Sequence, residues 1–336
     1  MSRKIICALL ILSIALSLCS CATSNASSND EASGTNLKIL CTLFPQYDWI
    51  RNITKNAEGV EVSLIITNGT DPHSYQPTAK DILNISNCDI IVYVGGDSDA
   101  WVKKAIERSK NQDIKAIALT ELSGIELHDI SASSHAHEGD SHEGHSHEGH
   151  SHSALDEHLY LSVNNARRAV SALTSELCTA DPTNKELYLK NSLEYTIKLN
   201  NLTQDFEYEV SQIPEHDRFM LFADRFPFVY LLSDYDIHYS AAFEGCTTDV
   251  DADFDTIIRL IREADEHDVR YIIITEGSDG SLANTIISST KSKNQKIITL
   301  NSMQSITQSQ IDGGATYISL MEKNINGVRE ALGIKN

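Results

Sequence analysis

The chain has 336 residues, of which 27 are lysine or arginine and 47 are aspartate or glutamate, so its formal net charge is −20. A chain this acidic is a poor match for the phosphate backbone of a nucleic acid, and we therefore expect no nucleic-acid partner. Its length exceeds what one hydrophobic core comfortably supports, which favours two lobes.

The beginning of the chain has the form of a secretory signal. A basic start is followed by an apolar run over residues 5–18, which is too short to span a bilayer. The run ends in Leu-Cys-Ser-Cys, which resembles a bacterial lipobox with Cys21 as the lipidated residue; Cys19 is a poorer candidate because a bulky leucine precedes it. We expect residues 1–20 to be a signal peptide and residues 21–36 a flexible tether. The protein would then be lipid-anchored on the extracytoplasmic face of the cell membrane, with a plain soluble secreted protein as the alternative.

The next part of the chain alternates between β-rich apolar runs and helical-looking stretches. Such alternation predicts an α/β lobe with a parallel sheet. We assign residues 37–127 to this first lobe, and residues 154–183 to its remainder. The predicted strands are Leu37–Thr42, Val60–Ile66, Asp89–Val94 and Ile114–Leu119, and the predicted helices are Thr78–Asn87 and Ser98–Ser109.

Residues 128–153, which we call the His-rich segment, interleave histidines with acidic residues and glycines. This composition cannot fold by burying apolar surface, but neutral imidazoles bind divalent metals such as zinc. A zinc protease would need a second histidine four residues after His142, where Ser146 stands. We therefore predict a disordered, metal-gathering loop, with an expression tag or a solvated acidic loop as the alternative. The histidines that we expect to gather metal are His135, His137, His142, His145, His147, His150 and His152.

One long helix and a second lobe complete the chain. Apolar residues recur at close to helical spacing over residues 184–213 and predict a linking helix. Residues 214–336 repeat the strand and helix alternation, which predicts a second α/β lobe similar to the first. Its predicted strands are Arg218–Ala223, Ile237–Ala242, Arg270–Thr275 and Lys296–Leu300, and its predicted helices are Asp253–His267, Ser281–Ser289 and Ala315–Leu332. A ligand site is expected in the cleft between the lobes, at the carboxyl ends of the strands.

Two histidines fall where this cleft is expected. His73 lies in the loop after the second strand, and His158 follows the His-rich segment within Asp-Glu-His-Leu-Tyr-Leu. A lone histidine is usually a surface residue, but the His-rich segment in the same chain favours metal ligation at these two positions. His216, His238 and His267 show no partner pattern, and we interpret them as surface or packing residues.

Motifs that would indicate other chemistry are missing from the sequence. There is no HExxH, G-x-S-x-G or P-loop motif, which disfavours an enzyme. Cys41, Cys88, Cys178 and Cys246 are widely separated and lack the C-x-x-C spacing of a thiolate zinc cluster. Export permits a disulfide among them, and buried free thiols are equally compatible with the sequence.

Several short motifs, taken together in their order, resemble the zinc- and manganese-binding substrate-binding lipoproteins of bacterial ABC importers, in the cluster A-I form with a His-rich loop. The motifs begin at Phe44 (Phe-Pro-Gln-Tyr-Asp), Asp71 (Asp-Pro-His), Asp156 (Asp-Glu-His-Leu-Tyr-Leu), Asp224 (Asp-Arg-Phe-Pro-Phe) and Gly313 (Gly-Gly-Ala-Thr-Tyr). The resemblance covers almost all of the mature chain. It implies two α/β lobes, a rigid linking helix and a metal held in the cleft.

The resemblance also implies a function. The protein would capture a divalent metal outside the cell and deliver it to an ABC permease driven by a cytoplasmic ATPase. The His-rich segment favours Zn²⁺ as the transported ion, with Mn²⁺ as the alternative, and we expect a monomer. A surface metal buffer or adhesin with no transport role is the alternative function.

The second lobe departs from the family pattern at two positions. Ala223, followed by Asp224, stands where the family has a histidine or glutamate, and Asn301 stands where it has an aspartate or histidine. Asp224, Glu276 and Asn301 are therefore the candidates for further ligands, although an amide oxygen is a weak zinc ligand. Asp224 has a competing role in pairing with Arg225 or capping a helix, and Glu276 has one in supporting other residues. Water or a histidine of the His-rich segment would complete the coordination.

Overall fold

The computed structural model describes residues 36–129, 155–243 and 252–334. The predicted signal peptide, Cys21, nearly all of the tether and the seven histidines between residues 135 and 152 lie outside the described residues. The chain divides after Asn36, and residues from Leu37 onward form one compact unit. Among the described residues, no helix combines the length and the apolar character needed to cross a membrane.

Four parallel strands form the first sheet, in the spatial order β2-β1-β3-β4. All four residues of the third strand are buried. A strand that is buried on both faces of a parallel sheet appears in the sequence as a continuous apolar run. The strand order reverses direction between the first and third strands, and such a reversal opens a crevice at the carboxyl ends of the strands. The strands are β1 (Leu37–Cys41), β2 (Val60–Leu64), β3 (Ile90–Tyr93) and β4 (Lys115–Ala118).

The second sheet repeats this arrangement, with four parallel strands in the order β6-β5-β7-β8. Its crevice therefore lies at the ends of β5 and β7, by the same reasoning as in the first sheet. The prediction of two similar α/β lobes with parallel sheets is confirmed, and every predicted strand is present. The strands are β5 (Phe219–Phe222), β6 (His238–Ala241), β7 (Tyr271–Thr275) and β8 (Lys296–Leu300).

The helices include four that the sequence analysis did not predict, which are α1, α4, α6 and α9. The first begins with Pro45 in its first turn, where a missing N–H costs nothing, so a residue that reads as a helix breaker starts a helix here. The side chain of Ser162 caps α4 by accepting a hydrogen bond from the backbone N–H of Asn165 at 2.9 Å. The helices are α1 (Phe44–Ile53), α2 (Ala79–Ser86), α3 (Ala100–Glu107), α4 (Val163–Ala180), α5 (Lys185–Ser211), α6 (Val229–Ser233), α7 (Phe254–Glu266), α8 (Ser281–Ser289), α9 (Gln308–Asp312) and α10 (Tyr317–Ala331).

The predicted linking helix is present as α5, with 27 residues, and packs against α4. Its buried face differs from the predicted one in the first half of the helix. Leu189, Leu193 and Ile197 are 46%, 62% and 49% exposed, although they belong to the apolar pattern that predicted the helix. Tyr188 and Tyr195 are buried instead, and their hydroxyls donate hydrogen bonds to the carboxylates of Asp181 and Asp48. Large aromatic rings with a satisfied hydroxyl thus occupy the core side.

The cysteines that the structure describes are free thiols. Cys41 and Cys88 are buried, Cys178 is half-buried, and Cys246 lies outside the described residues. Burial raises the pKa of the Cys88 thiol to about 12 and that of Cys41 further still. Both thiols are therefore protonated, and they act as small apolar side chains of the core rather than as metal ligands.

Candidate metal centre

His73 is fixed by the loop that follows β2. Pro72, His73 and Ser74 form one turn of 3₁₀ helix, and the preceding residue, Asp71, caps it. One carboxylate oxygen of Asp71 accepts a hydrogen bond from the backbone N–H of His73 at 3.0 Å. The rigid proline and the capping carboxylate together set where the imidazole leaves the main chain.

His158 is held from behind by a carboxylate. Its side chain is buried, and its Nδ1 lies 2.9 Å from Oδ1 of Asp156, which also accepts the backbone N–H of His158 at 2.8 Å. An ionised carboxylate only accepts hydrogen bonds, so Nδ1 carries the proton and Nε2 presents its lone pair. This is the arrangement by which a carboxylate orients a histidine toward a metal ion.

The two imidazoles converge at their outer nitrogens. Nε2 of His73 and Nε2 of His158 are 3.4 Å apart, with the ring planes inclined at 50°. A tetrahedral zinc ion with Zn–N bonds of 2.0–2.1 Å separates its ligand atoms by about 3.3–3.4 Å. The observed spacing is therefore that of two ligands on one tetrahedral ion.

Gln304, in the loop after β8, brings its side-chain amide to the same point, and the sequence analysis did not predict it. Its Nε2 lies 3.0 Å from Nε2 of His73 and 2.5 Å from Nε2 of His158. The amide can give one hydrogen to each ring nitrogen, while its oxygen lies 3.3 Å from the hydroxyl oxygen of Ser302. A half-turn of the amide exchanges its nitrogen for its oxygen, and the oxygen can bind a cation. Gln304 thus marks the point at which the Nε2 atoms of both imidazoles converge.

Glu276 lies beside this point, at the end of β7. Its two carboxylate oxygens accept the backbone N–H and the hydroxyl of Ser302, at 2.7 and 2.6 Å. Burial raises the pKa of the Glu276 carboxyl above its ordinary value, and the two hydrogen bonds offset only part of that effect. Glu276, Gln304 and Arg225 line a cavity of about 20 Å³, and a cavity needs roughly 10–15 Å³ to hold one water molecule.

The side chains of the other two predicted ligands, Asp224 and Asn301, already accept hydrogen bonds from the protein. Oδ2 of Asp224 accepts the backbone N–H and hydroxyl of Thr275, at 3.0 and 2.7 Å, which joins the ends of β5 and β7. Oδ1 of Asn301 accepts the backbone N–H of Met303 at 2.9 Å and stabilises a tight turn in which Met303 has a φ of +60°. Within the described residues, no three histidine, cysteine, aspartate or glutamate side chains come close enough together to hold one metal ion.

Contacts between the lobes fix the His73 loop to the loop that carries Gln304. The carboxylate of Asp71 accepts a hydrogen bond from Arg225 of the second lobe at 2.5 Å. Asn68 and Thr307 form an antiparallel bridge, and Gly69, the residue after Asn68, has a φ of +74°. A Cβ at position 69 would lie 3.2 Å from Cγ2 of Thr307, so glycine permits both this conformation and this close approach.

The His-rich segment leaves and rejoins the described chain next to His158. Asp129 and Leu155 form an antiparallel bridge, and the backbone N–H of Asp156 donates to the carbonyl of His128 at 3.0 Å. The two ends of the segment therefore meet two or three residues before the candidate ligand. Of the remaining histidines, His267 stacks on the ring of Phe219, which agrees with a packing role.

The chain is similar to known proteins along most of its length. Residues 39–331 match the family model described as zinc-uptake complex component A, periplasmic. The chain is 30% identical over 321 residues to the high-affinity zinc uptake system protein ZnuA of Bacillus subtilis, covering 96% of this chain and 95% of that protein. Among solved structures, the metal-dependent lipoprotein YcdH of B. subtilis has a TM-score of 0.69 and 26% identity, covering 88% of this chain and 98% of that one.

A longer relative has the same fold in part of its length. The zinc(II)-bound AdcA of Streptococcus pneumoniae superposes with a TM-score of 0.68 at 26% identity, and this chain covers 58% of it. The predicted resemblance to zinc-binding substrate-binding proteins is confirmed by these matches. Since the family model spans most of the chain and a relative covered over 95% of its length is 30% identical, the chain belongs to the ZnuA family of zinc-uptake components.

Proposed function

We propose that this protein captures zinc(II) between Nε2 of His73 and Nε2 of His158 and delivers the ion to an ABC importer. The 3.4 Å separation of these two nitrogens carries the proposal, because it equals the ligand spacing of a tetrahedral zinc site. The relatives named for zinc uptake or zinc binding support zinc over manganese as the ion. No catalytic step is part of the proposal.

The third ligand in this proposal is the amide oxygen of Gln304, after a half-turn that releases the two imidazoles. This assignment ranks Gln304 above Asp224 and Asn301, whose side-chain oxygens already accept hydrogen bonds from Thr275 and Met303. Glu276 lies beside the ion in this proposal, and a cation there would favour the ionised form of a carboxyl whose pKa is raised by burial. A water molecule or a histidine of the His-rich segment completes the four positions.

Two further features of the proposed transport role are the lipid anchor and the His-rich segment. The lipobox supports attachment through Cys21, with the metal site on the extracytoplasmic side, where it meets the permease. The His-rich segment raises the local concentration of zinc next to His158, since its ends meet at Asp156. A flexible segment loses chain entropy when it binds an ion, so we expect it to bind zinc more weakly than the cleft does.

The choice of ion is tested by calorimetry on the full mature protein. Zinc is expected to bind at least about a hundredfold more tightly than manganese, since imidazole ligands follow the Irving–Williams order and manganese prefers carboxylate oxygens. The comparison should be made on metal-stripped protein, with each ion titrated separately and then in competition. Equal affinities, or a preference for manganese, would contradict the assignment of zinc.

The proposed lipid anchor is tested by cell fractionation. Cys21→Ala is expected to move the protein from the membrane fraction to the soluble fraction, because the short apolar signal cannot hold the mature chain once it is cleaved. Cys19→Ala is the matched control and should leave the protein in the membrane fraction. Membrane retention of the Cys21→Ala protein would show that another anchor, or an uncleaved signal, holds it.

A further inference from the structure

The turn that carries His158 is attached to the second lobe on both sides of the histidine. Tyr230, on α6, donates its hydroxyl to the main-chain carbonyl of Asp156 at 2.8 Å. Tyr317, on α10, donates its hydroxyl to the main-chain carbonyl of Tyr160, also at 2.8 Å. The two acceptors lie two residues before and two residues after His158, so one tyrosine holds each end of the turn.

Water does not compete for the hydrogen bonds of these two hydroxyls, because both tyrosines are buried. Tyr230 is 1% exposed and Tyr317 is not exposed at all. The hydroxyl of Tyr230 also accepts the backbone N–H of His128 at 3.1 Å, which joins the start of the His-rich segment to the same point. A buried carbonyl or N–H that loses its partner is left without the hydrogen bond that water would have given it, so each end of the turn is held close to its tyrosine.

The attachment of the His158 turn to the second lobe affects the distance between the two candidate metal ligands. His158 follows the first sheet in the sequence, yet its main chain is fixed to helices of the second lobe, the same lobe that supplies Gln304. Ser162 adds to this attachment by donating its hydroxyl to the carboxylate of Asp234, at the end of α6. His73 reaches the site on a separate loop, so the distance between the two ring nitrogens depends on how firmly each carrier is held.

We propose that Tyr230 and Tyr317 are positioning residues for metal binding: their hydroxyls hold the His158 turn so that its Nε2 stays at ligand distance from a metal shared with His73. This inference rests on the proposed ligand role of His158. Metal–nitrogen bonds tolerate errors of only a few tenths of an ångström, so a loosened turn weakens the bond to His158 and speeds release of the ion.

Three tyrosine-to-phenylalanine variants separate positioning from general stability. Tyr230→Phe and Tyr317→Phe each remove one hydroxyl at the His158 turn. Tyr188→Phe is the matched control, because its hydroxyl is equally buried and donates to Asp181 at 2.6 Å, at the junction of α4 and α5. The readouts are the rate of zinc transfer to an excess of a chromophoric chelator, the absorption spectrum of the cobalt(II)-loaded protein, and the free energy of unfolding in urea.

We expect Tyr230→Phe and Tyr317→Phe each to release zinc about five- to tenfold faster than the wild type, which is the effect of one lost hydrogen bond, and to change the cobalt spectrum. Tyr188→Phe should lose a similar free energy of unfolding but release zinc at the wild-type rate. If the two variants at the His158 turn lose stability like the control yet keep the wild-type release rate and spectrum, the positioning role is wrong. Should one variant not fold, the other carries the test.

A fourth variant tests the proposed ligand role of His158 separately from the positioning role of the two tyrosines. His158→Ala is expected to abolish the tight zinc site. If that variant keeps the tight site, the ligand assignment itself fails, and the positioning role fails with it. If His158→Ala loses the site while both tyrosine variants release zinc at the wild-type rate, the positioning role alone is overturned.

Discussion

Replacing His73 with alanine is expected to lower the zinc affinity of the tight site by at least about a thousandfold, more than the ten- to hundredfold typical of a residue that only orients a ligand. The substitution removes one of the two imidazoles whose nitrogens are spaced for a tetrahedral ion. The weak zinc binding that we expect of the His-rich segment should remain, because that segment does not depend on the cleft. Calorimetry of metal-stripped protein measures both classes of site in one titration.

The matched control for this experiment is deletion of residues 135–152, which removes the seven histidines expected to gather metal and leaves Leu155 and Asp156 in place. This variant should bind fewer ions in total while keeping one tight site. If the deletion abolishes the tight site as well, a histidine of the segment completes the coordination, and the cleft is not sufficient on its own.

Replacing Gln304 with glutamate is expected to tighten zinc binding by at least about tenfold, because a carboxylate is a better zinc ligand than an amide and adds a negative charge at the ion. The substitution keeps the length of the side chain, whose amide nitrogen already lies 3.0 and 2.5 Å from the two imidazoles. The gain should be largest at neutral pH and should fade in acid, where the carboxylate and both histidines take up protons.

Gln304→Ala is the control that removes the side chain altogether, and it should bind zinc more weakly than the wild type. A three-way order of affinity, glutamate above glutamine above alanine, is the expected result. If all three proteins bind zinc equally, the side chain at position 304 does not reach the ion, and Glu276 or water occupies the third position instead.

The strands were predictable because their physics is local. A strand buried in a parallel sheet needs apolar residues on both faces, so it appears in the sequence as a short uninterrupted run such as Ile90–Tyr93 or Tyr271–Thr275. Each predicted strand is present with its ends displaced by at most two residues. The alternation of strand and helix then leaves few topologies to choose from, and the parallel order follows.

The long helix was predictable, but the face that it buries was not. Helical spacing identifies a helix whenever apolar residues recur every three or four positions, regardless of which of them meets the core. In α5 the core receives Tyr188 and Tyr195, whose hydroxyls find buried carboxylates, while Leu193 stays 62% exposed. The partners of those hydroxyls come from elsewhere in the chain, so the sequence of the helix alone does not contain this information.

Gln304 was missed for a related reason. The side chain reaches the imidazoles because the loop after β8 turns sharply, with Asn301 accepting the N–H of Met303 and Met303 at a positive φ. An asparagine followed by a short polar loop is a signal for such a turn, but not for the residue that the turn brings to the cleft. The meeting of His73 and His158 in the cleft was easier to predict, because proline and acidic neighbours mark the turns that hold them; their role as ligands stays a prediction.

A crystal structure of the zinc-loaded mature protein, with anomalous data collected on both sides of the zinc edge, tests the central claim most directly. We expect one strong anomalous peak in the cleft, at about 2.0–2.1 Å from Nε2 of His73 and from Nε2 of His158. The oxygen of the Gln304 amide should face the same peak. A strong peak that lies away from these two nitrogens, with no zinc between them, would contradict the account.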